Sequence, residues 1–164
     1  MKKVTLIVVC AMAALFFASC QTGKREDKNN DTPSSVVDKM YKAIQNNDFA
    51  EAAKYNRIPD TIKMDETHVY EEFKNNKKAD GKVVITKEEW QNFVIEKMKN
   101  QSAGFTLDSW EIVSEEISNT DPNSAKVNTK IHITRTDKDG NAVKSEAECS
   151  FPLKRENDVW LIIG

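Results

Sequence analysis

Hydrophobic and polar positions change rhythm repeatedly along this chain. Val4 to Ala18 carries no charge and follows Lys2 and Lys3, and the small residue Ser19 stands before Cys20: the charged, apolar and small-residue order of a secretory signal. The apolar run is shorter than the ~20 residues a membrane-spanning helix needs. Gln21 to Asp31 then has no apolar residue larger than Thr. Such a segment buries too little surface to offset the entropy of ordering, so it predicts a flexible tether.

A helical period begins at Thr32-Pro33, where a capping hydroxyl precedes a proline whose missing N–H costs nothing in the first turn. Val37, Met40, Tyr41 and Ile44 form one apolar stripe, which Asn46-Asn47 interrupts. Asp48 with Glu51 is a second capping signature, and Phe49, Ala52, Ala53 and Tyr55 predict a short second helix ending before Pro59. From Ile62 to Lys78 the pattern is mixed. Val69, Tyr70 and Phe73 suggest a short amphipathic helix, Glu71 to Asp80 is highly polar, and the stretch reads as an excursion between helices. Thr86-Lys87-Glu88-Glu89 is a capping box, followed at helical spacing by Trp90, Phe93, Val94 and Met98 until Gly104 ends the element.

After Gly104 the period becomes twofold. Trp110, Ile112, Val113 and Ile117 mark a strand whose apolar residues change face midway, as a bulge makes them do. Ala125, Val127, Thr129, Ile131 and Ile133 alternate with Lys126, Asn128, Lys130, His132 and Thr134, predicting one buried and one wet face. Asp139-Gly140 is a hairpin signal. Val143, Ala147, Cys149, Phe151 and Leu153 then alternate with polar residues, and after Glu156-Asn157-Asp158 a last strand runs from Val159 to Ile163. Helices first and an antiparallel meander last predict an α+β fold.

Composition narrows the function classes. Removing residues 1–19 takes two of the 24 basic residues and none of the 26 acidic ones, leaving a mildly acidic chain with both signs mixed. No face or run concentrates Lys and Arg as a phosphate-binding surface requires, so nucleic acid is not an expected partner. With Cys10 in the signal segment and Cys20 at its end, Cys149 is the remaining cysteine and cannot form an intramolecular disulfide. Stability then rests on an ordinary apolar core, and the roughly 130 residues after the tether are the size of one domain. The expected organisation is a signal over 1–19, an acylated cysteine and tether over 20–31, and one domain over 32–164.

Phe17-Ala18-Ser19-Cys20 resembles the lipobox of bacterial lipoproteins. The resemblance implies cleavage before Cys20, acylation of that cysteine and attachment to the membrane through lipid in the bacterial cell envelope; Gln21 after it implies, by the same analogy, the outer membrane. The body carries a second resemblance, in Tyr41-Lys42-Ala43-Ile44-Gln45-Asn46-Asn47-Asp48-Phe49-Ala50-Glu51-Ala52-Ala53 and the closing Asn157-Asp158-Val159-Trp160-Leu161-Ile162. With the order of elements, these look like the cone-shaped nuclear transport factor two-like fold, and more narrowly like small bacterial lipoproteins with a cystatin-like domain of unknown function. The resemblance implies N-terminal helices packed on a curved antiparallel sheet of about four strands, leaving a cavity at the open end. Pro59 to Ile85 is longer than the family pattern. Family members use the cavity as an enzyme site, as a ligand pocket or not at all.

The enzymatic branch of the fold, the ketosteroid isomerase and polyketide cyclase type, needs an acid facing an apolar pocket opposite a tyrosine or protonated acid. Here the inferred inward strand positions are Val, Ile, Thr, Ala, Ser and Cys, and no catalytic residue is assigned. His68, His132 and Cys149 are too scattered for a zinc site. Asp137, Asp139, Asn141 and Glu148 match calcium-loop spacing, but Ala142 stands where that loop needs Gly and the flanks read as strands. Neither a metal nor a cofactor is expected. Trp90, Trp110, Trp160, Phe93 and Phe151 sit at the period of their elements and serve as core, or as cavity lining if the cone is hollow. Tyr41 and Tyr55 lie on the helices that border the cavity. The candidate ligand-binding set is therefore Tyr41, Tyr55, Trp90, Phe93 and Trp110. The expected function is a non-enzymatic binding or interaction module for an apolar small molecule or a segment of an envelope protein; the alternative is an isomerase or hydrolase of the polyketide cyclase type.

Overall fold

The computed structural model describes residues 31–163. The signal segment, Cys20 and most of the tether lie outside them.

Helix α1, Pro33–Gln45, begins as its sequence dictates: the Thr32 side chain accepts the Ser35 N–H at 3.2 Å and Pro33 takes the first turn. Val36, Val37, Met40, Tyr41 and Ile44 are buried along one face. The chain reverses at Asn47, whose φ of 58° is the left-handed conformation that Asn tolerates. Asp48 then caps α2, Phe49–Lys54, by accepting the Glu51 N–H at 2.9 Å.

The excursion differs from its sequence reading. Thr61–Met64 (β1), Lys78–Ala79 (β2) and Lys82–Thr86 (β3) form a small antiparallel sheet in the order β1-β3-β2. Ala79 pairs with Lys82 across Asp80-Gly81, both at positive φ (53° and 74°), which is the two-residue hairpin geometry an Asp-Gly pair favours. In place of an amphipathic helix, Glu71–Phe73 makes one 3-10 turn that drops Phe73 into the core beside Val69.

Helix α3, Lys87–Ser102, carries the capping box intact: Thr86 Oγ1 accepts the Glu89 N–H at 3.3 Å, and Glu89 Oε2 accepts the Thr86 N–H at 2.8 Å. Those bonds from Thr86 hold the Glu89 carboxyl below its ordinary range. This helix joins two hydrophobic clusters. Met98 belongs to the larger one, between α1, α2 and the main sheet, and Trp90 to the smaller one, under the three-stranded sheet.

The main sheet has the order β4-β5-β6-β7, over Thr106–Ile117, Ser124–Thr136, Ala142–Glu156 and Val159–Ile162, all antiparallel. The expected change of face in the first strand comes from two register shifts, between Leu107 and Ser109 and between Ile112 and Ser114. On β5 the alternation is complete, with Ala125, Val127, Thr129, Ile131 and Ile133 all buried. The β5–β6 turn closes on Asp137, whose carboxylate accepts the N–H groups of Asp139 and Asn141. Lys154, with Ser124 and the Asn123 N–H, holds the Asp121 carboxyl down to about 2, fixing the β4–β5 connection to β6. Asn157 and Asp158, at φ of 50° and 64°, make the β6–β7 turn. The free side of β7 is covered: Ile162 N–H donates to Tyr55 O at 2.9 Å and Arg57 N–H to Ile162 O at 2.8 Å. Among the described residues no helix is long and apolar enough to cross a membrane.

A polar-rimmed cleft at the side of the cone

The concave side of the main sheet is occupied by side chains. Tyr41, 3% exposed, stands 5.5 Å from Trp110 and 5.7 Å from Phe151, ring centre to ring centre. Its hydroxyl shares a 2.8 Å hydrogen bond with Thr129, a buried polar residue on the facing strand. Trp110 donates its indole N–H to Asp38 Oδ1 at 3.0 Å, which fastens α1 to β4. Buried hydroxyls need such partners, because an unsatisfied one costs about 1–3 kcal/mol. Trp90 and Phe93 lie elsewhere, 5.2 Å apart in the smaller cluster with Tyr70 and Phe73; Lys97 Nζ sits 4.9 Å above the Phe93 ring. The five candidate residues thus separate into Tyr41 with Trp110, Trp90 with Phe93, and Tyr55 at the edge of the larger cluster.

Tyr55 borders an open cleft of about 470 Å³. Its walls are the start of α1, the α2–β1 connection, the start of α3 and the β6–β7 hairpin, so it draws on segments a hundred residues apart in sequence. Half-buried Ile58, Pro59, Val159 and Leu161 supply apolar surface, over the buried Val36 and Ala53. Around them stand four ion pairs: Asp31 with Lys39 at 2.7 Å, Glu51 with Lys54, Arg57 with Glu156 at 2.6 Å, and Asp60 with Lys87 at 3.0 Å. Gln91 and Asn157 add uncharged polar groups. The Tyr55 hydroxyl donates to Glu51 Oε1 at 3.0 Å; burial, and then this carboxylate, push its pKa up to about 12, so it remains a neutral donor at ordinary pH.

Sequence reasoning missed Arg57, Lys87, Gln91 and Glu156. Their individual neighbourhoods are ordinary polar surface, and only the tertiary fold brings them together. His68 is exposed beside Thr67, His132 faces Glu146 at 3.3 Å on the outer face of the sheet, and Cys149 is buried on the inner one. Among the described residues no three His, Cys, Asp or Glu side chains are grouped so as to hold a metal ion.

No known family model and no curated protein matches this sequence. Solved structures do. A SEC-C motif containing protein from Rhodopseudomonas palustris superposes with a TM-score of 0.52 at 8% identity, over 80% of this chain and 75% of that one. A nuclear transport factor two-like protein of unknown function from Shewanella oneidensis gives 0.46 at 13% identity, over 79% and 89%. A ketosteroid isomerase-like protein from Erwinia carotovora atroseptica gives 0.50 at 16% identity, over 79% and 86%. At these identities the likeness speaks for architecture: the chain has the α+β cone of the nuclear transport factor two-like fold.

Proposed function

We propose that this protein is a lipid-anchored protein of the bacterial envelope whose cone domain is a non-enzymatic binding module, with the Tyr55 cleft as its binding site. The observation that carries the reading is the cleft itself, an open concavity with apolar surface inside a polar rim, beside a sheet whose concave face is packed by Tyr41, Trp110 and Phe151. Its volume of about 470 Å³ lies within the range of small-molecule sites. The ligand that fits is amphipathic: its apolar part lies on Ile58, Val159 and Leu161, and its polar part meets the rim. Against the isomerase alternative, the acids bordering the cleft are each engaged by a cation, and no Asp or Glu among the described residues is buried.

The cleft is tested with anilinonaphthalene sulfonate, an amphipathic dye, on the full chain in mild detergent. The dye should raise the melting temperature by mass action. Val159→Glu, which puts a negative charge on the apolar wall and repels the sulfonate, should weaken dye binding about tenfold, while Tyr55→Phe should weaken it less and cost at most about 1.5 kcal/mol of stability. Dye binding unaffected by Val159→Glu would remove the cleft as the site.

The anchor is tested separately. Cys20→Ala should abolish acylation and move the protein from the membrane fraction to the soluble envelope fraction, because several acyl chains give lasting attachment where a single one gives marginal binding. Full membrane retention of this variant with its signal cleaved is the result that would overturn lipid anchoring.

A further inference from the structure

The two sides of the main sheet end differently. β7 is closed by Tyr55–Arg57, whereas β4 has no neighbouring strand on its outer side among the described residues. Among the described residues the large apolar side chains that are exposed are Ile112 at 37%, Val113 at 62% and Ile117 at 50%, all on that open strand, and Val143 on β6. Ile112 and Ile117 lie across from Thr129 and Ala125, both buried, and so carry the concave face to its rim; Glu115, across from Val127, stands between them and is engaged by the Ser34 N–H at 2.8 Å. Glu111 and Glu116 alternate with them on the outer face, across from Lys130 and Lys126. Lys130 gives its ammonium to Glu146 at 2.6 Å, and neither Glu111 nor Glu116 forms an ion pair among the described residues.

We propose that β4 accepts an extended segment of a partner protein with alternating apolar and basic residues, as a fifth strand of the sheet. Strand addition to an open edge draws affinity from main-chain hydrogen bonds and specificity from alternate side chains. On one face the partner's apolar residues continue the surface of Ile112 and Ile117. On the other, its cations meet Glu111 and Glu116. A second copy of this chain is the poorer occupant, because two β4 edges would set acids against acids. The bulges divide β4 into the regular runs Ser109–Ile112 and Ser114–Ile117, which guards the edge against indiscriminate pairing and keeps the added strand short.

The probe is a capped peptide of four Lys-Val repeats, compared with its Glu-Val counterpart, on the full chain in mild detergent, with amide hydrogen exchange as the readout. The Lys-Val peptide should slow exchange across residues 109–117, bind about tenfold more tightly than the Glu-Val peptide at low salt, and weaken as salt rises. Glu111→Lys combined with Glu116→Lys should reverse the preference between peptides, while Val143→Lys, at an exposed apolar site on β6, should leave it unchanged. Equal binding of both peptides, or protection elsewhere, overturns the proposal even if the double variant fails to fold. Protection of 109–117 that grows with protein concentration alone would assign the edge to a second copy. Protection lost on reversing Lys24, Arg25 and Lys28 would assign it to the chain's own tether. Either result also overturns the proposal.

Discussion

Trp90→Ala should lower stability by about 3 to 5 kcal/mol in denaturant titration, the range for deleting a fully buried large aromatic. The side chain is 1% exposed, with Phe93, Phe73 and Tyr70 rings centred 5.2, 5.9 and 6.0 Å away. It is the fully buried residue that α3 gives to the smaller cluster, together with Val83 and Ile85, and close packing there leaves little room for neighbours to fill its place. The loss should therefore appear first in the three-stranded sheet, as faster amide exchange over 61–86 at a denaturant concentration where β5 and β6 remain protected. A cost below about 1 kcal/mol would mean that the smaller cluster relaxes around the deletion and does not hold that sheet to α3.

Local chemistry made part of this fold readable. The starts of α1, α2 and α3 could be placed because a cap is a bond between neighbours: Thr32 to Ser35, Asp48 to Glu51, Thr86 to Glu89. β5 could be placed because every second residue is buried and the rest are polar over five repeats. The three-stranded sheet could not, because its strands are too short for a period to declare itself. Ile62 with Met64 and Val83 with Ile85 give one repeat each, and Asp80-Gly81, its hairpin signal, sits at the end of a polar run. Val69 and Phe73 have helical spacing, yet one 3-10 turn satisfies the same burial.

The site shows the same division. Tyr41 and Tyr55 are indistinguishable as tyrosines on apolar helix faces. Their fates separate because the chain reverses at Asn47 and α2 lasts only six residues, which leaves Tyr55 at a helix end, with its backbone bonded to β7 and its ring on the rim of the cleft. The opposite wall, Glu156 to Leu161, arrives from a hairpin a hundred residues later. Arg57 and Glu156 carry no mutual signal in sequence; their 2.6 Å bond is a product of the fold.

Tyr41→Ala tests whether the cone is a core or a pocket. If it is a core, removing this ring should cost about 3 to 5 kcal/mol, as for any buried aromatic, and leave a cavity bounded by Trp110, Phe151 and Thr129. Tyr41→Phe should cost less, about 1 to 3 kcal/mol, since it keeps the packing and takes from the Thr129 hydroxyl its 2.8 Å partner. Thr129→Val in the Tyr41→Phe background should then recover stability, because replacing both partners by apolar groups removes the orphaned hydroxyl. Most of the cavity in Tyr41→Ala is apolar, so benzene should bind there and raise the melting temperature of that variant while leaving the wild type unchanged. A benzene shift of equal size in the wild type would mean that the cone already holds an accessible apolar pocket, and the binding site would move from the Tyr55 cleft to the concave face of the sheet.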